Sequence, residues 1–156
     1  MPELDFTQYE GREQAYVKHC LLEKYLPEWA YKTGSQWDGL VYIDGFAGPW
    51  GVRSEDLADS SFGVAVKALD RVARTLNERR GKSIQVQCVL VEQNESALSQ
   101  LREFAEKSTR PGFKVSVFGG QFITHVQSVS NTTNALCKNP FKFVGSSRLL
   151  MGGRAL

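Results

Sequence analysis

Leu40-Val41-Tyr42-Ile43 is an unbroken apolar run that stops at a carboxylate, Asp44, and passes at once into Gly45-Phe46-Ala47-Gly48-Pro49-Trp50-Gly51. A strand apolar at every position has no face to give to water, so it belongs inside a sheet covered on both sides, as parallel strands are. Parallel strands need long crossovers, and the sequence supplies them. Phe62, Ala65, Val66, Leu69, Val72, Ala73 and Leu76 recur at three- and four-residue steps, the stripe of an amphipathic helix. Ser61 is its expected N-cap, Arg79 and Arg80 complement its dipole, and Gly81 stops it. Ile84 to Val91 then reads as a second strand, ending at Glu92.

Asn94 is placed to cap a third helix with a buried stripe of Ala97, Leu98, Leu101, Phe104 and Ala105. Pro111-Gly112 ends the connection, and Lys114 to Phe118 reads as a third strand. Ahead of the first strand, Gln14 to Lys32 is rich in helix formers, with Val17, Cys20, Leu21 and Tyr25 spaced along one face. Pro27 breaks that ladder and opens a second short helix, for which Gly34 is the expected left-handed cap. Trp29, Tyr31 and Trp37 are expected to cover the core. After Gly120 the pattern thins: Phe122, Val126 and Val129 suit a short helix, and Phe141 to Val144 suits the start of a fourth strand. The order implies an α/β fold, a parallel sheet with flanking helices and right-handed crossovers.

With 19 Lys and Arg against 17 Asp and Glu, net charge gives no reason to expect nucleic acid or an anionic membrane as partner. No window approaches the roughly 18 apolar residues of a membrane span, and Met1 to Gln14 has no signal-peptide core. The expected location is cytoplasmic. Cys20, Cys88 and Cys137 are odd in number and far apart, which suits reduced thiols rather than a disulfide framework or a metal site. His19 and His125 read as surface or satisfied core histidines.

Ligands of open α/β sheets bind outside the carboxyl ends of the strands. Asp44 and Glu92 close two such ends, and a carboxylate at the second can accept both hydroxyls of a ribose. Gly45, Gly48 and Gly51 let backbone come close to a ligand. Their spacing lacks the tight first pair of the dinucleotide fingerprint, and Glu92 lies far beyond its roughly 20-residue offset.

Tyr42-Ile43-Asp44-Gly45-Phe46-Ala47-Gly48-Pro49, preceded by Lys18-His19-Cys20-Leu21-Leu22 and Tyr25-Leu26-Pro27-Glu28-Trp29 and followed by Val91-Glu92, resembles the three-Cys-motif partner family, which is similar to class I S-adenosylmethionine-dependent methyltransferases. The resemblance implies a Rossmann-like fold, S-adenosylmethionine as cofactor and a partner, encoded nearby, that bears the three-cysteine motif. It places Asp44, Gly45, Ala47 and Gly48 around the methionine part of the cofactor, Phe46 as a wall of the pocket and Glu92 on the ribose. Gly120-Gln121-Phe122 stands where the family has a Gly-Asp-Phe-like segment, so Gln121 is the residue expected near adenine. On this reading residues 1–38 are a helical cap, 39–144 a cofactor-binding half-domain and 145–156 an unpatterned tail, the fold being cut short as its fourth strand begins.

Three readings stay open: a methyltransferase-type protein without an assignable general base, an NAD-type nucleotide-binding fragment, and a non-catalytic interaction module. The last is motivated by a first strand expected at or near a sheet edge, where another chain, including a second copy, can pair. The loop also resembles that of DNA cytosine methyltransferases, but their Pro-Cys nucleophile is missing from the sequence, so a DNA substrate is unsupported.

Overall fold

A computed structural model describes residues 13–45, 47–48, 60–134 and 140–145. Two helices, α1 (Glu13–Lys24) and α2 (Leu26–Gln36), precede a regular alternation of β1 (Gly39–Asp44), α3 (Ser61–Arg80), β2 (Gln85–Glu92), α4 (Glu95–Ser108), β3 (Phe113–Gly119), α5 (Phe122–Asn134) and β4 (Pro140–Gly145). The sheet is four-stranded in the order β3-β2-β1-β4, and every pairing is parallel. The chain therefore steps from β1 outward to β3 and then returns across β1 to lay down β4. That reversal creates a topological switch point between β1 and β4, the crevice where doubly wound folds bind ligands.

The two faces of the sheet are packed separately. Leu40 and Tyr42 of β1 and Val86, Cys88 and Leu90 of β2 face a large core shared with Leu22, Leu26, Ala30, Phe62, Leu69, Leu76 and Leu101 of the first four helices. The alternate residues Val41, Ile43, Val89 and Val91 form a smaller cluster closed by Val129 of α5, with Phe118 and Phe122 packed against it. Burial on both faces is why β1 is apolar throughout. Each fully buried Leu or Phe here contributes about 1.5–3 kcal/mol relative to exposure, and the edge-to-face pair Phe62–Phe104, centroids 5.0 Å apart, ties α3 to α4.

Local chemistry sets the helix ends. Gly81 stops α3 at φ 59°, and Asn94 Oδ1 accepts the amides of Ser96 and Ala97 at the start of α4. The N-cap of α3 is Ser60, one residue before the expected Ser61. Its extended backbone leaves Oγ free to accept the Gly63 amide at 2.9 Å, whereas Ser61 is already helical. Gly34 is not a cap: α2 continues to Gln36, and a Cβ at Gly34 would lie 2.8 Å from Leu76 Cδ1. The glycine is there because α2 and α3 touch.

Four further expectations are corrected. The inner line of α1 and α2 is Lys18, Leu22, Leu26 and Ala30, while Val17 and Tyr25 are exposed; the line keeps its four-residue step across Tyr25, whose amide donates to the Leu21 carbonyl and whose carbonyl accepts the Trp29 amide. Trp29 and Tyr31 pack on the core as expected, but Trp37 is 39% exposed. Helix α5 runs on through the polar Ser128 to Asn134, started by the Gln121 carbonyl, which accepts the Thr124 amide and hydroxyl, and helped by a Gln127–Asn131 side-chain bond at 3.0 Å. Finally, β1 is not an edge, because β4 pairs with it along its length and takes the edge position. Among the described residues no helix is long and apolar enough to cross a membrane.

Candidate functional site

The carboxyl ends of β1, β2 and β3 are stitched together by two backbone bonds. The Ala47 amide donates to the Val91 carbonyl at 3.0 Å, laying the loop after β1 over the end of β2, and the Gly120 amide donates to the Glu92 carbonyl at 2.9 Å from the other side. Both acids named from the sequence sit in this rim. Asp44 lies opposite Leu90 in the register and Glu92 two residues further along β2, so both are on the same face of the sheet by the alternation of strands.

Their environments differ. Asp44 is fully buried, and donors to its Oδ2 include the Lys18 ammonium at 2.9 Å, the Tyr42 hydroxyl at 3.3 Å and the Ser61 hydroxyl at 3.4 Å. Tyr42 is itself fully buried, and that burial, reinforced by the Asp44 charge, pushes its hydroxyl well above the usual tyrosine range and keeps it a donor. The carboxylate also faces the first residue of α3, where the positive end of the helix dipole favours an anion. Asp44 is thus a charge-compensated anchor joining α1, β1 and α3.

Glu92 is only 5% exposed. Its Oε1 accepts the Asn94 amide at 2.8 Å, while Oε2 takes no hydrogen bond among the described residues. No buried side-chain oxygen or nitrogen described here is both sealed from solvent and without a partner, so Oε2 opens onto the rim. A nearly buried carboxylate with one oxygen open is poised to accept a donor from outside, because leaving it without one is costly.

No family model matches the chain, and no curated protein matches it significantly.

The other expected site residues separate into groups. Ala47 and Gly48 are buried against the rim. Gly45 is also buried, but the position a Cβ would take lies 3.0 Å from the Phe122 ring; its missing side chain makes room for α5, not for a ligand. Gln121 is exposed beside Gly120, whose φ is 119°, so its amide is at the third strand end as expected. Phe46 and Gly51 lie outside the described residues, as do Cys137 and the tail from 146 onward. His125 Nε2 meets the Gly119 carbonyl at 2.6 Å and its ring lies 5.6 Å from that of Phe118, a satisfied histidine at the edge of the rim. Cys88 is buried and Cys20 half-buried, both as free thiols.

Lys18, Tyr42 and Ser61 are the partners that sequence reasoning missed. One signal was present: Lys18, Leu22 and Leu26 fall at i, i+4 and i+8, so a lysine stands in line with apolar residues destined for the core.

Proposed function

We propose that this rim binds S-adenosylmethionine and that the protein is a class I methyltransferase-type protein, as its resemblance to the three-Cys-motif partner family implies. The observation that carries the reading is Glu92, a nearly buried carboxylate with an open oxygen at the end of β2, beside a β1–β4 switch point. The residues present fit the cofactor. Glu92 accepts the ribose hydroxyls; Ala47 and Gly48 shape the wall along the methionine arm; Gln121 is positioned for adenine, where an amide can both donate and accept.

Bound S-adenosylmethionine supplies an already activated methyl group, so the protein's part is to position and to exclude water. Asp44 contributes by fixing the loop: held by Lys18, Tyr42 and Ser61, it cannot move without breaking an ion pair in the core. The methyl acceptor is supplied from outside the described rim, and a protein carrying the three-cysteine motif is the partner that the resemblance implies.

Calorimetric titration with S-adenosylhomocysteine tests the reading, with NAD as competitor. The expected result is saturable binding that NAD does not displace and that Glu92→Ala weakens at least tenfold. Binding of NAD in preference to the homocysteine compound, or equal affinity in Glu92→Ala, overturns it.

A further inference from the structure

Helices α3 and α4 meet at the Phe62–Phe104 pair and leave beside it a groove of about 320 Å³, a volume at the small end of the range for ligand sites. Asp70, Arg74, Lys107 and Arg110 line it from the later turns of the two helices and the turn before β3. In a parallel sheet those turns run back toward the amino ends of the strands, so the groove is separate from the Glu92 rim. Val66 and Phe113, both buried, and the half-buried Phe104 give it an apolar floor.

Its charges do not balance. Lys67, Arg74, Lys107 and Arg110 line the groove against Asp70 alone; Glu103, outside the lining, takes Lys107 at 2.6 Å, which leaves two positive charges in excess, four cations against two anions. Asp70 is already engaged by two guanidiniums. Its Oδ2 accepts Arg74 Nε at 2.8 Å, and its Oδ1 accepts Arg110 Nε at 3.0 Å and Arg110 Nη2 as well. The Arg110 guanidinium is further fixed over the Phe113 ring, its Cζ 5.3 Å from the centroid. Arg74 is therefore gripped by Nε, while its two terminal nitrogens and the Lys67 ammonium take no acceptor among the described residues. A solvated helix face accounts for the Asp70–Arg74 pair four residues apart, but not for Arg110 reaching the same carboxylate from 40 residues away.

We propose that this groove is a second ligand site, one that takes a small aromatic phosphate monoester, with the phosphate on Arg74 and Lys67 and the ring against Phe104 and Phe113. Lys67, Asp70 and Arg74 follow at three- and four-residue steps, so the two cations share one face of α3. A phosphate monoester carries nearly two negative charges at neutral pH and three acceptor oxygens, which matches the excess of two; the planar fork of arginine suits it. Aromatic side chains add offset or edge contacts to a flat ring. The proposal does not depend on the cofactor reading above.

The test uses 1-naphthyl phosphate, which has no ribose to offer Glu92, with 1-naphthol and inorganic phosphate as its two halves. Dissociation constants are measured by calorimetry for the parent chain and for the Lys67→Gln/Arg74→Gln variant, both positions being exposed, and the parent's amide shifts are mapped during the titration. The ester is expected to bind at least about tenfold tighter than either half and to move the amides of Lys67, Asp70, Arg74 and Thr109. Saturating S-adenosylhomocysteine is expected not to displace it, and the variant to lose roughly 10- to 100-fold, the range of a charge-assisted hydrogen bond. Absence of saturable binding by the folded parent overturns the proposal, as do shifts centred on the Glu92 rim or displacement by S-adenosylhomocysteine. Equal affinity for the ester and inorganic phosphate, or undiminished affinity in the variant, overturns it too; the parent's selectivity and shift map decide the matter without any variant.

Discussion

Replacing Lys18 by Met while Asp44 stays in place strands a carboxylate that is 0% exposed. The neutral donors Tyr42 at 3.3 Å and Ser61 at 3.4 Å are both too long to compensate a full charge. Breaking a buried pair from one side costs about 3–5 kcal/mol, because the surviving ion is left uncompensated. Asp44→Asn does the same to the ammonium from the other side. Removing both charges together returns a neutral site in which the Asn oxygen still accepts from Tyr42 and Ser61, so the double variant is expected within about 1 kcal/mol of the parent. The cycle therefore gives a coupling energy of about 5 kcal/mol or more, the two single costs less that of the double variant. Urea unfolding followed by tryptophan fluorescence reads it, with the m-value checked for constancy; in heat, each single variant loses about 6–20 °C, at roughly 2–4 °C per kcal/mol for a chain of this size. Single variants that each cost under about 1 kcal/mol, the behaviour of an exposed pair, or additive costs with no coupling, refute the reasoning.

Three further expectations concern other parts of the fold. Gly45→Val drives a branched side chain into the Phe122 ring, 3.0 Å from where its Cβ would sit, and is expected to cost about 1–3 kcal/mol, measured as a lowered thermal midpoint that Phe122→Leu partly restores. Burial pushes the Cys88 thiol up beyond reach at neutral pH, so peptide mapping after iodoacetamide treatment of native protein at pH 8 should find Cys88 unmodified and Cys20 the more reactive of the two. For Asp70, burial opposes ionisation, but hydrogen bonds from Arg110 and Arg74 outweigh it and hold its carboxyl below the usual range. A carboxyl lowered on folding stabilises above its unfolded value of 3.8 and loses that contribution as pH falls through the folded value. Asp70→Asn should therefore cost up to about 1 kcal/mol at pH 7 and nothing once Asp70 is protonated in both states, as urea melts at the two pH values would read.

The alternation of helix and strand was legible because it rests on local periodicity. The fully apolar β1 and the α3 stripe from Phe62 to Leu76 were buried as expected, and the caps at Gly81 and Asn94 needed only their immediate neighbours. What the sequence concealed depends on where distant segments meet. The pairing of Lys18 with Asp44 joins residues 26 apart; Gly34 reads as a helix cap and Gly45 as a ligand-approach glycine until Leu76 and Phe122 are seen against them. The place of β4 beside β1 is a question of topology, which the strand pattern alone does not answer, and so an expected edge became an interior strand. At the site, both acids were legible from their positions at strand ends. Their different roles were not, since those come from the donors around Asp44 and the open oxygen of Glu92.

The central claim is that the carboxyl ends of β1, β2 and β3 form one cofactor site, and an amide chemical-shift map of the ¹⁵N-labelled protein during titration with S-adenosylhomocysteine tests it most directly. The account predicts saturable shifts concentrated at Gly45, Ala47, Gly48, Glu92, Gln93 and Gly120, with unmoved amides in a separate groove between α3 and α4 that is lined by Asp70, Arg74, Phe104, Thr109 and Arg110. Shifts centred on that groove, or none at saturating ligand in a folded protein, would contradict it.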